Sequence, residues 1–273
     1  MAPSGDLTTY TRTTFSHGGT ERAVYAKGSG PAVILIAEMP GISPQVVGFA
    51  DRVVALGCTA VLPHLFGKPG WDPLAGSRVT AALHTTWTML GACVSREFTV
   101  LATGRSSPVV AWLRALAADA HNRCGGRGVG VVGMCFTGGY ALVMAIDDRV
   151  LAPVLSQPSL PLPLTPGRRR SIDCSPDDLT TVAGRCARDG LQVLGLRFRD
   201  DPFVPEGRFA LLREQLGGNF IAVELDQADG NPRGPLPRHH SVLTADLIDA
   251  PGEPTRDALD TAVTFLRRKL HAV

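Results

Sequence analysis

One cysteine lies in a pattern that could make it a nucleophile. Residues 128–142 read GVGVVGMCFTGGYAL, where an apolar, β-branched run ends in a Gly-x-Cys-x-x-Gly-Gly turn and a small-residue helical pattern follows. This pattern predicts a buried strand that turns sharply into a helix. The residue at such a turn projects from the edge of the sheet, as in a nucleophile elbow, and here it is Cys135. The amide groups and positive dipole end of the following helix would favour a thiolate.

Two other interpretations stay open from this stretch alone. A free cysteine on an apolar strand commonly packs as a small hydrophobic side chain. A glycine-rich turn after a strand is also typical of nucleotide-binding loops. The rest of the chain has to decide among the three.

Three further titratable residues follow predicted strands. Glu38 comes directly after the apolar run 31–37, Asp201 follows the predicted strand 191–197, and His240 follows the strand 220–225 and a polar loop. Open α/β sheets bind ligands at the carboxyl ends of their strands. Nucleophile, acid and histidine come along the chain in the order that α/β-hydrolases use. Four such residues at one edge of a sheet favour catalysis.

Strands and helices alternate around these residues. Strands are predicted at 31–37, 58–62, 128–134, 151–155, 191–197 and 220–225, with an edge hairpin from 7–14 and 21–26. Helices are predicted to begin at Ser43-Pro44, Ser107-Pro108, Ser175-Pro176, Glu206 and Thr255. We therefore predict one α/β domain over residues 1–273, a doubly wound, mainly parallel sheet flanked by helices. Residues 67–98 are irregular and form either a lid over the site or a peripheral insertion.

Composition excludes several classes of function. The net charge of +2 gives no electrostatic case for nucleic acid or an acidic membrane surface. The N-terminus has no signal-peptide pattern, and no apolar run reaches bilayer length. The six cysteines show neither CxxC pairing nor zinc-like spacing. We expect a cytoplasmic protein with reduced thiols, no metal site and no cofactor.

The chain resembles the dienelactone hydrolase family (carboxymethylenebutenolidases), which are α/β-hydrolases with a cysteine nucleophile. The resemblance runs from about Pro31 to the C-terminal helix. Five motifs carry it, in this order: IAEMPG at 36–41, ALGCTAVLP at 55–63, GMCF at 133–136, DPFVP at 201–205 and HS at 240–241.

The resemblance implies a catalytic triad. Cys135 matches the nucleophile, His240 the general base and acid, and Asp201 the carboxylate that orients the histidine. Asp200 adjoins Asp201 and His239 adjoins His240. The choice within each pair follows the register of the family.

The resemblance also implies supporting groups. Glu38 matches an additional carboxylate that interacts with the thiol and takes part in its activation. The backbone amides of Met39 and Phe136 match the donors that stabilise an oxyanion. Arg96 is a counterpart, on weak alignment, of an arginine that binds the substrate's carboxylate.

Two departures from the family pattern stand out. Thr137 occupies a position of the elbow where glycine is preferred, and a β-branched residue there is expected to tighten the turn. The segment after His240-Ser241 reads Val-Leu-Thr and offers no arginine. This second departure argues against dienelactone itself as the substrate.

The leading expectation is an ester or lactone hydrolase that works through a covalent acyl-enzyme on Cys135. Its partner is a small-molecule substrate, and the protein is a monomer or homodimer. The first alternative is a non-catalytic small-molecule binding protein on the same fold. The second is thiol-based redox chemistry, which is disfavoured because no resolving cysteine lies nearby in sequence.

Overall fold

The computed structural model describes residues 5–72, 74–75, 106–232, 234 and 238–271. Its strands form an eight-stranded sheet in the order β1-β2-β4-β3-β5-β6-β7-β8. The strands are β1 (Thr11–His17), β2 (Thr20–Gly28), β3 (Ala32–Ile36), β4 (Thr59–Pro63), β5 (Val129–Met134), β6 (Val150–Ser156), β7 (Val193–Phe198) and β8 (Phe220–Leu225). β2 pairs antiparallel with β1 and β4, and the neighbours from β4 to β8 are parallel. The predicted edge hairpin and mainly parallel sheet are confirmed.

Helices cover both faces of the sheet. They are α1 (Pro44–Ala55), α2 (Val109–Cys124), α3 (Gly138–Met144), α4 (Pro166–Arg169), α5 (Pro176–Asp189), α6 (Glu206–Leu216) and α7 (Pro254–His271). Helices α1 and α7 share one core with Val33 and Leu35 of β3. Helices α2, α3, α5 and α6 share the other core with Ile34 and Ile36. Because successive side chains of a strand point to opposite faces, a strand covered on both sides is apolar throughout.

The helix starts follow the predicted capping residues, with one exception. Ser43 and Ser175 cap α1 and α5 through their side-chain oxygens, which accept from the backbone N–H groups of Val46 and Asp178. Ser107 does not cap α2, because its hydroxyl donates to the Asp173 carboxylate at 2.7 Å. None of the helices in the described ranges is long and apolar enough to cross a membrane.

Parallel pairing brings the ends of β3, β5, β6 and β7 to one edge of the sheet. Ile36 of β3 lies opposite Gly133 of β5, and Met134 of β5 lies opposite Ser156 of β6. The residues that follow these strands therefore meet in space. Glu38, Cys135 and Asp201 are among them.

Candidate active site

Cys135 occupies the strained turn that the sequence predicts. β5 ends at Met134, a short 3-10 turn covers Cys135–Thr137, and α3 begins at Gly138. Cys135 has a φ of 53°, a left-handed conformation that is uncommon for residues other than glycine. A Cβ at Gly133 would lie 2.2 Å from the carbonyl oxygen of Thr137, and one at Gly138 would lie 2.5 Å from the Cα of Pro158. Close backbone contact therefore requires the glycines on both sides of the turn.

Thr137 is accommodated in this turn by hydrogen bonds. Its fully buried hydroxyl donates to the carbonyl of Ile36 at 2.8 Å and accepts from the backbone N–H of Met134 at 3.0 Å. Threonine in place of glycine therefore ties the elbow to the end of β3, and Cys135 keeps its positive φ.

His240 and Asp201 form a buried pair beside Cys135. His240 Nδ1 lies 2.6 Å from Asp201 Oδ2, and Asp201 Oδ1 accepts from the backbone N–H of Phe203 at 2.9 Å. The ring of Phe203 packs edge-on against the imidazole, with 5.5 Å between ring centroids. These contacts fix the orientation of the imidazole and leave its Nε2 for another partner.

The sulfur of Cys135 lies close enough to the imidazole to affect its pKa. Burial alone would lower the pKa of His240, but the Cys135 sulfur and the Asp201 carboxylate, each by charge and by hydrogen bonding, raise it well above its ordinary value. The imidazole thus interacts with both a sulfur and a carboxylate, a combination that suits proton transfer to and from the sulfur.

The neighbouring residues of the two pairs have different partners. Asp200 is exposed, with a φ of 58°. His239 Nδ1 lies 2.8 Å from Asp246 Oδ1, and Asp246 Oδ2 accepts from the backbone N–H groups of His240 and Ser241 at 2.8 Å each. Asp246 thus holds the backbone of the histidine loop. Sequence reasoning missed it, because no spacing distinguishes it from a surface acid.

Glu38 is buried, and its carboxylate accepts hydrogen bonds from three neutral side chains. Its Oε2 accepts from Ser241 Oγ at 2.8 Å and from Gln157 Nε2 at 3.0 Å, and its Oε1 accepts from Thr244 Oγ1. Burial raises the pKa of Glu38, although the hydrogen bonds from Thr244 and Ser241 oppose this effect. The carboxylate has no hydrogen bond to Cys135 in the described part of the chain, so its interaction with the thiol stays a prediction.

The predicted oxyanion donors follow two adjacent strands. Met39 comes three residues after Ile36, and Phe136 comes three residues after Gly133, the residue paired with Ile36. Their amides therefore lie at the same edge of the sheet as Cys135, and their role stays a prediction. Arg96 and most of the segment 67–98 fall outside the described residues.

Together, the mainly parallel sheet, the cysteine elbow and the His–Asp pair define an α/β-hydrolase fold. The sequence model of the dienelactone hydrolase family matches residues 21–166 of the 273, more than half of the chain. The chain belongs to the dienelactone hydrolase family and is a hydrolase of that family. Glu38 and Cys135 lie within the matched residues, whereas Asp201 and His240 lie beyond them.

Solved structures of this fold match over nearly the whole chain. A dienelactone hydrolase from Anabaena variabilis is 16% identical, with 96% of this chain and 98% of that one covered and a TM-score of 0.58. A dienelactone hydrolase-like promiscuous phosphotriesterase from metagenomic libraries is 17% identical, with 94% and 97% covered and a TM-score of 0.55. A cold-adapted esterase from an Arctic intertidal metagenomic library is 15% identical, with 95% of each chain covered and a TM-score of 0.53. Such identities show the fold alone, and no curated protein matches the sequence.

Proposed function

We propose that the protein hydrolyses carboxylic esters or lactones through a covalent acyl-enzyme on Cys135. The observation that carries this proposal is the buried His240, whose Nδ1 lies 2.6 Å from Asp201 Oδ2 and whose pKa is raised by the neighbouring sulfur of Cys135. An imidazole held on one side by a carboxylate can take a proton from the thiol on the other side. The names of the structural neighbours, which include an esterase and a dienelactone hydrolase, agree with this reaction class.

Acylation would begin when the thiol proton moves from Cys135 Sγ to His240 Nε2. The thiolate attacks the carbonyl carbon of the ester, and the carbonyl oxygen becomes an oxyanion beside the amides of Met39 and Phe136. Each such donor contributes about 10²–10³ in rate in other enzymes. As the intermediate collapses, the C–O bond breaks and His240 returns the proton to the leaving alkoxide.

Deacylation would repeat these steps with water as the nucleophile. His240 takes a proton from water, the hydroxide attacks the thioester carbonyl, and the C–S bond breaks. The acid is released, and the proton on His240 returns to the sulfur. In a lactone the alcohol and the acid are parts of one product molecule. We further propose that residues 1–273 form one domain that acts without a cofactor in the cytoplasm, where its thiols stay reduced.

Replacement of the nucleophile tests this function. We expect Cys135→Ala to lower kcat/KM by at least about 10³-fold on a panel of p-nitrophenyl esters and lactones, because the proposed acyl intermediate forms on the Cys135 sulfur. Cys58→Ala is the matched control, since Cys58 is buried before β4 at the opposite end of the sheet, and its activity should stay within about twofold of the wild type.

Intact-mass spectrometry of the wild type with a slow ester should find one acyl group, on Cys135. Undiminished hydrolysis by Cys135→Ala would refute the mechanism. A wild-type protein that binds the panel without turnover or acylation would instead favour the binding-protein alternative.

A further inference from the structure

The Cys135 sulfur has a second polar neighbour besides His240. Ser159 Oγ lies 3.5 Å from Cys135 Sγ, a distance at which a hydroxyl and a sulfur hydrogen-bond, and either atom could be the donor. Ser159 is only 5% exposed. It comes three residues after the end of β6, in a segment that is rich in proline.

Ser159 also holds the backbone of the nucleophile. Its backbone N–H donates to the carbonyl oxygen of Cys135 at 2.9 Å. The same residue therefore contacts Cys135 at two points, one on the main chain and one on the side chain. This double contact keeps Ser159 beside the nucleophile.

The segment around Ser159 is fixed by a buried arginine. The guanidinium of Arg208 donates to the carbonyls of Pro158 and Pro161 at 2.6 and 2.7 Å, and also to that of Ser171 at 2.6 Å. Arg208 is fully buried, and burial lowers its pKa to about 10. Because residues on both sides of Ser159 are held in this way, its hydroxyl is positioned before any substrate arrives.

We infer that Ser159 is a further catalytic residue, whose hydroxyl donates a hydrogen bond to the Cys135 thiolate in the mechanism proposed above, on which this inference rests. While the sulfur carries its proton, the S–H can donate to the Ser159 oxygen. Once that proton has moved to His240 Nε2, the hydroxyl turns and donates to the negative sulfur. No bond to Ser159 breaks, and its own proton stays in place. Hydrogen bonds to charged groups are about twice as strong as neutral ones, so this contact favours the thiolate.

Alkylation of Cys135 tests the inference without any substrate. The rate of carbamoylmethylation by iodoacetamide is measured between about pH 5 and pH 9, with the Cys135 peptide followed by mass spectrometry. We expect Ser159→Ala to move the midpoint of this profile up by about one pH unit, and so to slow the reaction about tenfold below the midpoint. Ser159→Thr, which restores a hydroxyl at the same carbon, should return the midpoint to that of the wild type.

Ser43→Ala is the matched control. Ser43 is also 5% exposed, but its hydroxyl caps α1. Its loss should lower the melting temperature and leave the alkylation profile unchanged. Alanine fits in the space that serine occupies, and Ser159→Gly gives a second variant without a hydroxyl if Ser159→Ala does not fold.

The inference would be overturned if the folded Ser159→Ala or Ser159→Gly variant had the same pH profile of Cys135 alkylation as the wild type. If such a variant still hydrolyses esters through Cys135, the proposed function stands and only the role of Ser159 fails. If the midpoint moves but Cys135→Ala hydrolyses esters as well as the wild type, the proposed function fails, and with it the catalytic role of the Ser159–sulfur contact.

Discussion

The described part of the chain holds two neighbouring cysteine–histidine pairs, one at each end of the sheet. Cys135 and His240 meet at the carboxyl ends of the parallel strands, whereas Cys58 Sγ lies 3.2 Å from His271 Nε2 at the opposite end, just before β4. By distance alone, the second pair would also be a candidate nucleophile and base. Their surroundings separate the two pairs.

The backbone and burial of the two cysteines differ. Cys135 projects from a turn with a φ of 53° and is only partly buried. Cys58 is fully buried, and burial raises the pKa of its thiol to about 11. A sulfur without solvent or an opposite charge stays protonated and cannot attack a substrate.

The two histidines differ in their second partner. His240 is oriented by the buried carboxylate of Asp201. In the described ranges, no carboxylate hydrogen-bonds to the exposed His271. A cysteine and a histidine in contact are therefore not enough to make a candidate site. Cys135 and His240 additionally have the strained turn at the sulfur and the carboxylate that orients the ring.

Replacing each histidine should give the largest contrast. We expect His240→Gln to lower kcat/KM on p-nitrophenyl esters by at least about 10³-fold, because glutamine can neither take the thiol proton nor return it. His271→Gln should stay within about twofold of the wild type, since His271 lies at the far end of the sheet. Equal losses in the two variants would remove the distinction between the pairs.

The reactivity of the two sulfurs should differ by a smaller factor. A thiol with a pKa of about 11 is a thiolate in only about one molecule in 3,000 at pH 7.5. We expect iodoacetamide to modify Cys135 at least about 100-fold faster than Cys58 at this pH. The rate at Cys58 should then rise about tenfold per pH unit up to the pKa of its thiol.

Peptide mass spectrometry of the wild-type protein measures both rates together. The unfolded chain in urea is the control, because the two thiols lose their different environments there and should react at similar rates. Similar rates in the folded protein would show that the turn and the imidazole do not activate Cys135.

The fold could be predicted because each strand carries its own signal. The run at residues 31–37 is apolar throughout, and a strand covered on both faces needs that pattern. The serine–proline starts of α1 and α5 are local signals of the same kind. Such signals do not depend on contacts between distant residues, so they can be recognised from the sequence alone.

The site could be predicted only in part, because the hydrogen-bond partners of its residues become neighbours only in the folded chain. Adjacent residues of a loop point in different directions, so the pairing of Asp201 with His240, and not with His239, required the family register. Asp246 and Ser159 act on residues that lie 6 and 24 positions away along the chain. No periodicity or motif marks such contacts. The hydrogen bonds from Thr244 and Gln157 to Glu38 could not be predicted from the sequence for the same reason.

Glu38 is a buried carboxyl group at the carboxyl end of the sheet, and its titration should give the smallest effect. Burial raises the pKa of Glu38, so the folded state keeps the proton to a higher pH than the unfolded chain, where glutamate titrates near about 4.3. The stability of the folded protein therefore falls as pH rises from that value to the pKa of Glu38 in the folded state, by about 1.4 kcal/mol per unit of pKa displacement.

Glu38→Gln removes this titration. The free energy of unfolding of the variant should therefore increase relative to that of the wild type over the same pH range. Urea unfolding from about pH 5 to pH 8 measures this difference, and Glu21→Gln, at an exposed strand position, is the control. A difference that stays constant with pH would mean that burial does not raise the pKa of Glu38.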